Sequence, residues 1–329
     1  MRCILAILIV FMHAFTCYSG SWLPPAGYVD VPLYKWMSRI TFAFTLEAFV
    51  FMSGYLLAFQ ELTLNRAIDS NFLVKKFRRL ILPSVVFSIV YFVIFYEYKG
   101  IGSFCYSIIN GCGHMWFLPM LFWCFVGGWL LEKVRIKEQW KIVFLVILNL
   151  LTIINLPFRL SDACSFMVYF YAGFLSYKYS DKIKNSITQK RLIISFVLFV
   201  VLFFLLRILK DTLVISSGHL FFIKLLLLVG DNLCQLLYAS AGLLFFYMAI
   251  CHYTMRHNLR PYIVKFSTCC FGIYIFQQFI LQLLYYKTQF PLLVGPYYLP
   301  WLSFVITVIL SYFLSLIFLK TKAGRFMIG

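Results

Sequence analysis

The sequence is short of charge, and above all of negative charge. Only 12% of its 329 residues are charged, and 11 are Asp or Glu. Soluble domains carry about 25% charged residues, so this chain has too little polar surface for a water-facing fold. No stretch poor in apolar residues is long enough for a separate soluble domain. Internal repeats and low-complexity tracts are also missing. The ten cysteines lack any metal-ligand spacing, so no metal site is expected. Most of them sit in apolar runs, where a thiol acts as a small hydrophobe. Cys105 and Cys112 share one loop and can pair if it faces an oxidising compartment, while Cys269 and Cys270 read as packing residues.

What is present is apolar. The chain is 63% hydrophobic and 20% aromatic, the composition of an all-α polytopic membrane protein. A crossing helix needs about 20 apolar residues, and on that criterion ten spans emerge. They cover 3–19, 40–60, 79–97, 114–132, 141–157, 163–178, 191–209, 219–251, 266–286 and 299–319. The eighth is too long for one crossing, and Gly230-Asp231-Asn232 predicts a break in it. The whole of 1–329 reads as one integral-membrane domain.

The net charge of +18 does not point to nucleic acid, because the basic residues fall in short clusters between apolar runs. With the amino terminus inside, 21 of the 29 basic residues lie in inner loops and ends, Arg66 and the 75–79 cluster among them. That bias predicts both termini on the cytoplasmic side.

Ionisable side chains within spans are costly and mark function by default. His13 and Glu47 are the clearest. Arg2 and His13 are eleven residues apart, which brings them to nearly the same helix face, about 16 Å apart along the axis. Glu47, on the inward-running second span, falls at a depth close to that of His13. A carboxylate beside an imidazole orients the ring and raises its basicity; the alternative is a structural pair holding two helices together. The opening run also has the outline of a signal peptide, although nothing small-x-small precedes a cleavage point.

Lys75, Lys76, Arg78 and Arg79 crowd the inner end of the third span. They serve either as a topology anchor or, with Arg2, as a dock for a polyanion. Arg78 and Arg79 point about 100° apart, so one of them at most faces Arg2. At the outer end of the fourth span, Trp116 suits an interfacial belt, and His114 is either a loop residue or a lining group at the mouth.

These residues together resemble the membrane-bound acyltransferase 3 family, whose members O-acylate bacterial surface sugars. Arg2 through His13 is similar to that family's Arg-x10-His signature. "LEAFVFMSGYLL" (46–57) resembles its second-helix segment, with Glu47, Ser53 and Gly54 in place. "KKFRRLILP" (75–83) resembles its basic turn, and "HMWFLPMLF" (114–122) its His-x-Trp-Phe-Leu segment. Two departures stand out. This chain reads Gln277-Gln278 where members often have a histidine, and Arg2 directly follows Met1.

The resemblance implies an acyl-CoA donor, acetyl-CoA in the simplest case, and a sugar or polysaccharide hydroxyl as acceptor, with the protein in a bacterial inner membrane among its lipids. Arg2, Lys75, Arg78 and Arg79 would hold the CoA phosphates. His13 would act as general base, with Glu47 fixing its tautomer. Ser53, His114 and Trp116 are the candidates for the acceptor or the oxyanion. A transporter or flippase is the rival reading, since transporters also keep ionisable groups at mid-membrane and use broken helices.

Overall fold

The computed structural model describes residues 1–63, 70–152, 156–216, 221–257 and 260–328, and Arg66 lies outside them. The chain is nearly all helix, with no strand among the described residues. Its main helices are α1 (Arg2–Ala14), α2 (Pro32–Phe42), α3 (Thr45–Leu62), α4 (Ser70–Phe95), α5 (Phe117–Lys133) and α6 (Glu138–Leu150). They continue as α7 (Leu160–Lys178), α8 (Gln189–Ser216), α9 (Phe221–Arg256), α10 (Pro261–Tyr286) and α11 (Leu299–Lys320).

Seven stretches of the described residues are long and apolar enough to cross a membrane: Pro32–Leu62, Asn71–Phe95, Gly113–Lys133, Gln189–Thr212, Leu226–Arg256, Pro261–Tyr286 and Leu299–Lys320. The other three expected spans are helical but fall short. Both α1 and α6 have 13 residues, a rise of about 20 Å against a hydrocarbon core of about 30 Å. Polar groups such as Asp162 and Ser165 dilute α7. By length and composition, seven of the ten expected spans among the described residues are long and apolar enough to cross.

The predicted break at Gly230-Asp231-Asn232 is a correction. Helix α9 runs unbroken through these residues. Its polar side chains find partners that keep the backbone helical: Lys210 pairs with Asp231, and Asn232 Nδ2 donates to the Leu150 carbonyl at 3.2 Å. Cys105 and Cys112 are likewise unbridged, and every cysteine is a free thiol.

The chain divides into two compact units. Unit 1 comprises Met1–Thr45, Lys75–Pro119 and Leu259–Gly329; unit 2 comprises Leu46–Val74 and Met120–Asn258.

In unit 1, α1 packs on α2, α10 and α11. It buries Leu5, Ala6, Ile9, Val10 and Met12 almost completely, the recurrence expected of one helix face. Ser303, Thr307, Ser311 and Ser315 recur every fourth residue on α11, and all four are fully buried. Small side chains of this kind let helix backbones approach closely, and α10 and α11 form the tightest pairing of the unit. The last carbonyls of α1 are satisfied from outside its own backbone ladder. Thr16 Oγ1 donates to Met12 at 2.9 Å, and Tyr285 Oη donates to Ala14 at 2.5 Å. A helix so enclosed is part of the core of unit 1.

In unit 2, α3 and α7 cross at two glycines. A Cβ on Gly54 would lie 1.9 Å from the Phe170 carbonyl oxygen, and one on Gly173 would lie 1.9 Å from that of Phe51. No larger residue fits at either position. Helices α8 and α9 pack along their lengths, and α6 packs on α7 and α9.

Candidate functional site

The centre of unit 1 is a pair of histidines. His13 ends α1, where its ring stacks on Trp22 at 5.9 Å and meets Phe42 at 6.4 Å. The His114 ring lies edge-on to it, 6.4 Å away centre to centre. His114 sits on a single 3₁₀ turn, Gly113–Trp116, leading into α5. The turn requires glycine: Gly113 has φ +53°, and a Cβ there would press to within 2.8 Å of the Tyr91 ring. His114 is therefore enclosed, only 4% exposed, and the loop reading of it is corrected. Tyr91, Tyr274 and Phe279 surround its ring.

The hydrogen bonds constrain how each ring can act. His114 Nε2 lies 2.9 Å from the Ile275 carbonyl. A carbonyl can only accept, so Nε2 carries the proton and Nδ1 presents a lone pair. That Nδ1 is buried with no partner among the described residues, as is Nδ1 of His13. A neutral His114 held this way suits accepting a hydrogen bond from a hydroxyl, and its remaining nitrogen cannot donate to an oxyanion. Two buried ring nitrogens without a partner among the described residues are costly in an apolar interior.

Two glutamines complete the centre. Gln277, fully buried, approaches the His13 ring, and Gln278 approaches His114. Sequence reasoning set this pair aside because it stood where relatives carry histidine. The available signal was simply two adjacent uncharged polar residues inside an apolar span. Gln277 stands beside the His13 ring in unit 1, and in unit 2 Gln235 stands beside the Glu47 carboxyl.

The basic end of unit 1 gathers differently from the expectation. Arg2, Lys76 and Arg79 lie close enough to repel one another, and Lys75, Arg78 and Arg79 are all exposed. Of Arg78 and Arg79, it is Arg79 that faces Arg2. Because α1 is continuous, Arg2 and His13 lie on one stripe, about 16 Å apart. Trp116 is half-buried on the same turn as His114.

In unit 2, Ser53 donates its hydroxyl to the Phe49 carbonyl at 3.0 Å, one turn earlier on α3. Glu47 is only 2% exposed and lines a polar cavity of about 200 Å³ with Asn149, Asp162, Ser165, Phe166, Tyr169, Asn232 and Gln235. Nothing in the sequence pattern joins these positions, since they come from four helices.

Comparison with known proteins gives one match: a family model described as an acyltransferase domain covers residues 1–320. No curated protein and no solved structure matches the chain.

Proposed function

The chain belongs to the acyltransferase 3 family, and from that premise we propose that it moves an acyl group, acetyl in the simplest case, from acyl-CoA to a sugar hydroxyl. The observation that carries the reading is the single stripe on α1, with a cation at one end and a buried imidazole at the other. Arg2, Lys76 and Arg79 stand close together, and the CoA phosphates would meet charge-assisted hydrogen bonds there. Lys75 and Arg78 extend the same basic turn. The pantetheine arm reaches along the stripe and brings the thioester to His13.

His13 then takes the proton from the acceptor hydroxyl as its oxygen attacks the thioester carbonyl. The tetrahedral intermediate collapses, the carbon–sulfur bond breaks, and the imidazolium returns the proton to the CoA sulfur. Gln277 stands beside the His13 ring, and the His114 lone pair accepts a hydrogen bond that orients the hydroxyl. An amide or Trp116 Nε1 serves the oxyanion. In this reading α1, α6 and α7 complete a set of ten spans, both termini are cytoplasmic, and the membrane is a bacterial inner membrane.

Transport has less support than it had from the sequence, because α9 is continuous where a discontinuous helix would have favoured it. The test is consumption of labelled acetyl-CoA by the purified protein in detergent, with an oligosaccharide acceptor. An acyltransferase works without a sealed compartment; a transporter shows nothing there.

A further inference from the structure

Helix α10 runs alongside α1 in the same direction. Near the start of α1 the Cys3 thiol donates to the Ile263 carbonyl at 3.5 Å, and at its end the Ala14 carbonyl accepts from Tyr285. Gln277, Leu281 and Tyr285 follow at every fourth position, so they share one face of α10, and all three are 2% exposed or less. That register brings Gln277 to His13, one residue before Ala14. Gln278 turns about 100° away, toward His114 and the Tyr91 hydroxyl.

Gln277 lies within an apolar span with neither end of its amide engaged. Oε1 and Nε2 are both buried, and neither has a partner among the described residues. Such an amide is costly to bury. Because both ends are unengaged, turning the amide over changes nothing: one end presents hydrogens either way. The residues singled out from the sequence for the oxyanion are less suited. His114 Nε2 commits its hydrogen to the Ile275 carbonyl, and the Ser53 hydroxyl commits its own to Phe49. Trp116 is half-buried, and Gln277 is enclosed, where a hydrogen bond to developing charge is strongest.

Acyl transfer to a hydroxyl passes through a tetrahedral intermediate. As the hydroxyl oxygen bonds to the acyl carbon, its proton moves to His13 and the carbonyl π pair becomes an oxyanion. When that pair re-forms the double bond, the carbon–sulfur bond breaks and the proton goes to sulfur. A fixed donor whose bond strengthens as the oxyanion develops favours the transition state over the ground state. We propose that the Gln277 side-chain amide is this donor, a catalytic residue of the reaction. The inference rests on the acyl-transfer reading and names the group left open there between an amide and Trp116.

The test compares wild type with Gln277→Met, which keeps the length of the side chain and removes the donor. Both are whole proteins in detergent, given labelled acetyl-CoA and a surface glycan de-O-acetylated by mild alkali. In the variant kcat should fall about 10²–10³-fold, the usual effect of losing one oxyanion donor, with KM for both substrates unchanged. Its melting temperature should stay level or rise, because an unengaged amide has left an apolar interior. Gln277→Asn draws the amide back by one methylene and should also lose about 10²-fold in kcat, as misplaced catalytic groups do. Wild-type kcat in either variant overturns the proposal. So does a loss of kcat that comes only with a lowered melting temperature in both, the mark of a packing role. A wild type that transfers no label sinks the acyl-transfer reading and this inference with it, so the two failures are told apart.

Discussion

The rings of His13 and His114 meet edge to face, 6.4 Å apart, with Nδ1 of each buried and unpaired. One comes from the first helix and the other from a turn a hundred residues later, and α10 supplies a glutamine to each. In the proposed reaction this is where the acceptor hydroxyl is received, beside the rings.

The fixed tautomer of His114 gives the first prediction. With Nε2 committed to Ile275, its function is to accept one hydrogen bond. His114→Phe should keep the ring volume and lose the acceptor. It should lower kcat/KM for the sugar about tenfold, the worth of about one hydrogen bond, and leave KM for acetyl-CoA unchanged. Initial rates against varied acceptor and varied donor separate the two.

The cation group gives the second. Arg79→Ala removes one of three mutually repelling charges. KM for acetyl-CoA should rise about tenfold, in line with a charge-assisted hydrogen bond of about 1.5–3 kcal/mol, with kcat little changed. Raising ionic strength should raise the wild-type KM through screening and affect the variant less. Lys75→Ala, away from the Arg2–Arg79 approach, should do much less.

Two glycines give a third, opposed pair. Gly54→Ala drives a Cβ into the Phe170 carbonyl, and backbone cannot swing aside as a side chain can. Overpacking of this kind costs about 1–3 kcal/mol or more, so the variant should lose its yield of folded protein. Gly230, within α9, has nothing within 4 Å of its position for a Cβ. Gly230→Ala should stabilise by about 0.5–1 kcal/mol through helix propensity. Thermal melts in detergent measure both.

Glu138, at the start of α6, gives the pH prediction. Burial pushes its carboxyl pKa upward, but hydrogen bonds from Lys178 and Tyr179 outweigh that, and it settles below the usual carboxylate value. A group with a depressed folded pKa contributes stability that is present above its unfolded pKa and lost as pH falls through the folded one. Melting temperature should therefore fall on acidification below the ordinary carboxylate range. Glu138→Gln should flatten that fall without changing the neutral-pH mechanism.

Much of unit 1 was legible because its signals are local. Arg2 and His13 share one helix, so their common face follows from 100° per residue, and the α1 stripe is there in the structure. The burial of His114 was not legible, because "CGHMW" reads as a loop until Gly113 is seen folding its turn against Tyr91. The roles of Gln277 and Gln278 depend on which helices α10 touches, a long-range fact that residue type does not encode. The continuity of α9 failed to show for the same reason. Gly-Asp-Asn is a breaker by propensity, and it stays helical through Lys210 and the Leu150 carbonyl, partners that lie on α8 and at the end of α6. The unit 2 cavity draws on four helices and had no sequence signature at all.

The most direct measurement of the central claim is a comparison of wild type and His13→Ala, both purified in detergent and shown folded by melting. Each is given labelled acetyl-CoA and a glycan acceptor. The wild type should transfer label to the glycan, and loss of a general base should slow the variant by about 10²–10⁴-fold while CoA binding persists. Equal transfer by the two proteins would contradict the account.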